Sequence, residues 1–244
     1  MFLAVIGFIA IAANDAVAQT NDAAAQELLA GAASDAPVYQ QIKAKFIDGG
    51  VGFMAAVLLC LILGLAVAIE RIIYLSLSTT NTSKLIAKVE DALNNGGVEA
   101  ALEVCRNTRG PVASIFYQGL SRMDQGLEAV EKSVVSYGGV QAAQLETGLT
   151  WLSLFIAMSP NLGFLGTVIG MIGAFDAIQA AGDISPIVVA SGIKVALITT
   201  VAGLIVALIL QVFFNYITSK VESLVITMED ASVSLIDILV KAKK

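Results

Sequence analysis

The sequence contains no histidine and only two cysteines, Cys60 and Cys105. Without imidazole, neither a histidine-based metal site nor a common hydrolytic triad can be built, and two cysteines are too few for a disulfide framework. Charged residues make up only 14% of the 244 residues, and the net charge is -6. Because no basic stripe is available to neutralise phosphates, nucleic acid is excluded as a partner. We therefore expect neither enzymatic activity nor a bound cofactor or metal.

Apolar side chains dominate the chain instead. Hydrophobic residues make up 57% of it, and the mean hydropathy of +0.83 is far above that of a soluble domain. Three segments match or exceed the roughly 20 apolar residues that a helix needs to cross a bilayer. The sequence thus predicts an all-α polytopic membrane protein with transmembrane helices at residues 49–75, 147–175 and 187–219.

Lysine and arginine are distributed unevenly between the connecting segments. They occur in residues 76–146 and 220–244, whereas the short segment 176–186 has none. Since basic residues collect on the cytoplasmic side of a membrane, the first two regions are predicted to be cytoplasmic and the third to be a periplasmic loop. The first is expected to form a bundle of helices, and the second an amphipathic helix that continues the third span.

The N-terminal region is predicted to lie in the periplasm. Residues 1–18 are apolar and end in Ala16-Val17-Ala18, which is typical of a cleaved export signal. The usual basic start is missing, so a short membrane-dipping helix is the alternative. Residues 19–48 follow as a periplasmic linker, most of which is rich in Ala, Asp, Gln and Asn and has little apolar surface to bury.

Helix boundaries in the cytoplasmic region follow from caps, glycines and a proline. Thr82-Ser83 can cap a helix that stops at Gly96-Gly97, and Pro111 can open another at its first turn. A later helix is expected to begin at Asp124 and to run through Gly138-Gly139 into the second span.

The second and third spans carry small residues at helical spacing, which let helix backbones approach closely in lipid. On the second span, glycines recur at intervals of three, four and three residues, just after a proline–asparagine pair. These glycines are predicted to pack helices, and room for a moving element is the alternative interpretation. The predicted packing residues are Pro160, Gly163, Gly166, Gly170, Gly173 and Gly203.

Polar side chains also lie within these two spans. Thr167 and Thr200 are predicted to form a polar pathway, although each hydroxyl could simply bond to a carbonyl one turn earlier. Lys194 can reach Asp183 or Asp176, either as an anchoring ion pair or as a functional counter-ion. The residues expected to line a pore or to contact a partner are Lys194, Asn161, Thr199, Gln211 and Asn215.

No aspartate or glutamate occurs in residues 147–175 or 187–219. Moving protons through a bilayer requires a group that takes up and releases a proton at membrane depth, and neither threonine nor a lysine held charged by an acidic partner does this readily. If protons move through this protein, we expect another chain to supply the carboxylate.

Two glycine-rich motifs connect the chain to a known family. The segment Pro160–Gly170 strongly resembles the signature of the MotA/TolQ/ExbB proton-channel family, and Gly192–Thr200, followed by Gly203-Leu204, is similar to its third-helix counterpart. The resemblance extends from about residue 50 to the end, includes Glu70-Arg71 and the Arg109-Gly110-Pro111 turn, and is closest to the ExbB members.

This resemblance implies a homopentameric ring in the bacterial inner membrane, with a pore lined by the second and third helices. An ExbD-like single-span protein would place an aspartate there as proton carrier, facing the hydroxyls of Thr167 and Thr200. A TonB-like protein would couple the ring to outer-membrane import. Many relatives carry a glutamate at the position of Val195, whereas the charge here is Lys194, so the role of that glutamate does not transfer.

Two other functions fit the same sequence. A TolQ-like subunit, or the stator of another surface motor, would differ in its partner rather than in its chemistry. A passive membrane scaffold would use the polar residues only to pack helices.

Overall fold

The computed structural model describes residues 38–182 and 186–242, and within them every regular element is a helix. An N-terminal unit ends at Ile47, and a second unit, Asp48–Lys244, holds the rest of the chain. The predicted export signal, most of the predicted linker and Asp183 lie outside the described residues. The α-helices are α1 Val38–Asp48, α2 Val51–Ser78, α3 Thr82–Asn107, α4 Pro111–Leu120, α5 Leu127–Glu146, α6 Leu149–Ala181 and α7 Pro186–Ala242, with a 3-10 turn at Met123–Gln125.

Three helical stretches of the described chain are long and apolar enough to cross a bilayer. They contain α2, α6 and the first part of α7, and their surfaces carry large exposed apolar side chains such as Ile62, Phe164 and Leu208. Such surfaces would be unfavourable in water and are suited to contact with lipid. The protein is therefore a multi-pass membrane protein built from helices.

The helix α7 is a single element of 57 residues. At 1.5 Å per residue it is about 85 Å long, which is far more than the roughly 30 Å of a bilayer core. The continuation beyond Ser219 follows the apolar periodicity of the sequence, with Val221, Leu224 and Met228 buried. More than half of this helix must therefore lie outside the hydrocarbon.

The spanning helices pack as a trio, in which α6 and α7 have the most extensive contact and α2 lies against both. We call α6 together with residues 186–219 of α7 the apolar pair. A methyl group added at Gly64 of α2 would come 2.6 Å from a Leu210 methyl carbon, so this glycine makes room for a leucine of α7. Leu210 itself is fully buried.

Outside the spans, α3, α4, α5 and residues 220–242 of α7 pack around a core of large apolar side chains. We call this group the polar bundle, because its outer surfaces carry most of the charged residues. Hydrophobic burial is the main stabilising term for such a core. Its fully buried side chains include Leu85, Val89, Ile115, Phe116, Leu120, Val130, Val134, Leu235 and Leu239.

Several predicted boundaries agree with the structure. Gly97 has a left-handed φ of 72° and interrupts α3 at the glycine pair that predicts a helix end. Pro111 occupies the first turn of α4. The cap of α3, however, is Asn81, whose side chain accepts a hydrogen bond from the Lys84 amide at 3.2 Å.

The expectation of one helix running from Asp124 into the second span is wrong. A 3-10 turn precedes α5, which starts after Gly126, and α5 ends at Glu146. Gly148 then adopts a φ of 89°, and a methyl group there would come 2.7 Å from Arg71 Nε. A left-handed conformation beside a packed guanidinium suits only glycine, so the chain bends at this point.

Candidate functional site

The backbones of α6 and α7 approach each other most closely around two glycines. A methyl group at Gly163 would come 3.1 Å from the Thr199 carbonyl oxygen and from Thr200 Cα. One at Gly203 would come 2.5 Å from the Ser159 carbonyl oxygen. The close approach therefore depends on the absence of side chains at both positions.

The glycine contact continues toward the other end of the pair. A methyl group at Gly166 would come 2.6 Å from Thr199 Cγ2, whereas one at Gly170 would make an ordinary 3.4 Å contact with Ala196 Cβ. Gly192, which was not among the predicted packing residues, lies directly against Ala174. The sequence could have indicated this packing role, because Gly192 and Gly203 are eleven residues apart and so share one helix face.

Gly173 differs from the other glycines of the series. A methyl group there would meet no atom of the described residues within 4 Å. Among these residues Gly173 has no close packing partner, and its role in helix packing stays a prediction.

Pro160 and Asn161 lie inside α6, which is helical on both sides of the proline. Pro160 has no amide hydrogen, so the carbonyl one turn earlier lacks its helical donor. Asn161 has an exposed side chain. Its contact with a partner stays a prediction.

Thr167 and Thr200 are both half-buried, and both hydroxyls donate to backbone carbonyls. Thr167 Oγ1 donates to the Phe164 carbonyl of its own helix at 2.6 Å, and Thr200 Oγ1 donates across the pair to Gly163 at 3.2 Å. Thr200 thus lies at the level of Gly163, with Thr167 about one helical turn, or about 6 Å, further along α6. With their hydrogens engaged, both oxygens retain lone pairs that can accept a hydrogen bond.

Thr199 is placed differently from the expectation that it lines a pore or contacts a partner. Its side chain is only 1% exposed within the single chain. Its hydroxyl lies 2.8 Å from both the Gly49 and the Val195 carbonyl oxygens and can donate to either. A side chain enclosed in this way offers no surface to a pore, and Thr199 instead fastens α7 to the segment that precedes α2.

Lys194 is paired with an acidic residue that sequence reasoning did not identify. Its Nζ lies 2.7 Å from Asp48 Oδ2, and the two side chains are 56% and 38% exposed. The partner is separated from Lys194 by 146 positions, so no local pattern could have pointed to it. The ion pair compensates the charge of Lys194 near the end of the third span.

Further along α7 lie three more polar side chains, Gln211, Asn215 and Thr218. Gln211 Nε2 donates to Asn215 Oδ1 at 3.1 Å. Asn215 is exposed, so the pair is accessible from outside the chain. The Thr218 hydroxyl is enclosed and has no hydrogen-bond partner among the described residues.

The site has no titrating carboxylate of its own at membrane depth. Residues 149–175 of α6 and 187–219 of α7 contain neither aspartate nor glutamate. Among the described residues there is also no group of three or more His, Cys, Asp or Glu side chains that could hold a metal ion. The arrangement can accept hydrogen bonds in an apolar wall.

Comparison with known proteins identifies the family. The model of the MotA/TolQ/ExbB proton channel family matches residues 107–230, just over half of the chain. This protein belongs to the MotA/TolQ/ExbB family. The match includes α4, α5, α6 and most of α7, and therefore both glycine motifs and both threonines of the site.

Individual relatives bear the names of ExbB, ExbB-like or ExbB-homologous proteins. The chain is 35% identical over 162 residues to an ExbB homolog of Methanothermobacter thermautotrophicus, covering 66% of this chain and 57% of the relative. It is 31% identical over 179 residues to an ExbB-like protein of Synechocystis sp., covering 72% and 70%. The biopolymer transport protein ExbB of Xanthomonas campestris is 37% identical over 113 residues, covering 46% of this chain and 43% of that protein. The chain thus spans under two thirds of the first of these relatives.

Proposed function

We propose that this chain is an ExbB-like stator subunit of a proton channel in the bacterial inner membrane. It assembles as a homopentamer with its N-terminus in the periplasm and its C-terminus in the cytoplasm. With an ExbD-like single-span protein and a TonB-like protein, it couples the proton motive force to outer-membrane import. Family membership and the three apolar helices support this proposal.

The observation that carries the proposal is the pair of half-buried threonines in a wall without carboxylates. A proton that crosses the membrane needs a titrating group, so the aspartate of the ExbD-like partner carries it. When that aspartate is protonated, its O–H can donate to the oxygen of Thr167 or Thr200, because both threonine hydrogens are already engaged.

The ionised aspartate interacts differently with the same residues. It needs hydrogen-bond donors, and the threonines offer one only by breaking a bond of 2.6 or 3.2 Å to a carbonyl. A bare carboxylate next to apolar walls is also unfavourable. The threonines therefore favour the neutral acid, and loss of the proton drives the partner helix away from them. Repeated uptake and release displaces the partner relative to the ring.

Lys194 and Asp48 set the electrostatic potential near the outer end of this pathway. A ring of uncompensated lysines would repel protons, since like charges interact strongly where water is limited. The 2.7 Å ion pair compensates that charge. It thus keeps the entrance accessible to protons.

The test is removal of each hydroxyl from the complete complex with its partners. Thr167→Val and Thr200→Val keep the side-chain volume but remove the acceptor oxygen. We expect each to lower partner-dependent proton flux into proteoliposomes, and uptake of a TonB-dependent iron complex, at least about tenfold, the factor that roughly 1.4 kcal/mol supplies. Co-purification of the partner proteins should be unchanged.

Two controls accompany this test. Thr167→Ser retains a hydroxyl and should retain flux. Thr227→Val removes a hydroxyl that bonds back to the Ser223 carbonyl at 2.8 Å in the polar bundle, far from the pathway, and should also retain flux. Normal proton flux in both Thr167→Val and Thr200→Val would refute the threonine pathway.

A further inference from the structure

The helix α5 has an open cleft on each of two opposite sides. One cleft, about 370 Å³, lies between α5 and α7 and is lined by Glu131, Val135, Glu229 and Val233; we call it the acidic groove. The other, about 400 Å³, lies between α5 and the end of α4 and is lined by Arg122, Lys132, Ser136 and Val140; we call it the basic cleft. At about 100° per residue, the α5 residues of the two clefts point in roughly opposite directions.

The charges of the two clefts are complementary and unpaired within the described chain. Glu131 and Glu229 are exposed, and so are Arg122 and Lys132. The ion pairs found among residues 38–182 and 186–242 are Arg71–Glu70 and Lys194–Asp48, so none of these four takes part in one. The two acidic residues of the groove on one side of α5 would attract the two basic residues of the cleft on the other side of α5 in a neighbouring copy.

The acidic groove also has apolar surface and room for a closely approaching backbone. Val135 and Val233 are 68% and 61% exposed. Gly138 and Gly139 lie on α5 in this groove, and a methyl group at either would meet no atom of residues 38–182 or 186–242 within 4 Å. Two glycines inside a helix cost roughly 0.5–1 kcal/mol each relative to alanine, and no contact with these residues explains them. A neighbouring molecule packed against them would.

We propose that the acidic groove of one copy binds the basic cleft of the next copy. This inference rests on the proposed homo-oligomeric ring and names the surfaces that join its subunits outside the membrane. A two-fold contact through either cleft would place like charges together, which is unfavourable. The head-to-tail contact instead pairs Glu131 and Glu229 with Arg122 and Lys132 and covers the exposed valines. Heterologous contacts of this kind generate a closed ring when the rotation between neighbouring copies closes, as the proposed homo-oligomer requires.

The test is cysteine cross-linking between two differently tagged copies of the full chain, co-expressed in membranes. One copy carries Val233→Cys and the other carries Val140→Cys. We expect oxidation to join the two tags in this mixed pair, while either variant expressed alone gives no cross-linked dimer. The natural cysteines are 3% and 2% exposed, so the unsubstituted chain is the background control. Glu103→Cys, exposed on α3 away from both clefts, should not cross-link to either variant.

A charge exchange provides a second measurement. Glu131→Lys with Glu229→Lys in the Val233→Cys copy should lower the cross-linked fraction at least about tenfold. Adding Arg122→Glu with Lys132→Glu to the Val140→Cys copy should restore it. Dimers of Val233→Cys alone, or no cross-link in the mixed pair, would overturn the proposal. Cross-linking does not depend on proton flux, so a ring that forms without conducting protons would refute the proposed function and leave this contact standing.

Discussion

The apolar pair and the polar bundle hold their helices together with different kinds of residue. In the apolar pair, the closest contacts are made by glycines, and a methyl group at Gly203 would reach the backbone of α6. In the polar bundle, the contacts are made by large buried side chains such as Phe116 and Leu120. Both modes occur along the same helix, since α7 contributes Gly203 to the first and Leu235 to the second.

The difference follows from the solvent of each region. In water, removing large apolar side chains from solvent is favourable, so a helix binds its neighbours through leucine, isoleucine and phenylalanine. In lipid, the same side chains gain little by leaving the surroundings, and helices associate through close backbone packing and hydrogen bonds. The exposed Phe164 and Leu208 of the apolar pair are therefore consistent with a stable structure, whereas Phe116 must be buried.

The largest effect is expected from a cavity in the polar bundle. Phe116 is 0% exposed, so Phe116→Ala should lower the free energy of unfolding of this region by about 3–5 kcal/mol. Denaturant unfolding in detergent, together with limited proteolysis of residues 79–146, measures the effect.

The adjacent residue gives a matched control. Tyr117 is on the same helix but 42% exposed, so Tyr117→Ala should have a clearly smaller effect. If the two variants were equally stable, the bundle would not depend on a buried core, and the contrast with the apolar pair would fail.

The next effect concerns glycines of the apolar pair. Gly203→Ala places a methyl group 2.5 Å from the Ser159 carbonyl oxygen, and we expect this to destabilise the protein by about 1–3 kcal/mol. A methyl group at Gly173 would meet no atom of the described residues within 4 Å, so as long as no second chain lies against it Gly173→Ala should instead stabilise the helix by roughly 0.5–1 kcal/mol. Thermal unfolding of the purified protein in detergent shows whether each variant is less or more stable than the unsubstituted protein. A destabilising Gly173→Ala would indicate that a second chain covers this glycine.

Much of this architecture could be predicted because it depends on local composition. Apolar length identified the three spans, periodicity indicated the continuation of α7 beyond Ser219, and Pro111 with Gly97 marked helix boundaries. Regular glycine spacing likewise indicated one packing face of α6, and on that face Gly163 and Gly166 contact α7. Each of these signals is contained within a few turns of one helix.

The features that could not be predicted depend on contacts between distant segments. Asp48 pairs with Lys194, which is far away in the sequence and on a different helix. Gly148 ends the connection between α5 and α6 because Arg71 of α2 fills the space beside it. Thr199 and Thr200 are adjacent and chemically identical in the sequence, yet one is enclosed and the other half-exposed. A helical wheel alone does not determine which neighbour covers each of them.

The smallest predicted effect on stability separates these two threonines. Thr199→Val removes a buried donor 2.8 Å from the Gly49 carbonyl, which should cost about 0.5–1.5 kcal/mol of unfolding free energy. Thr200→Val removes a half-exposed donor at 3.2 Å and should cost less, although the proposed pathway requires it to lower proton flux more. Thermal unfolding and proteoliposome flux of the same two preparations give four values to compare. A residue of the pathway must lose proton flux without an equal loss of stability. If the loss of proton flux were proportional to the loss of unfolding free energy in both variants, the two threonines would differ only in packing.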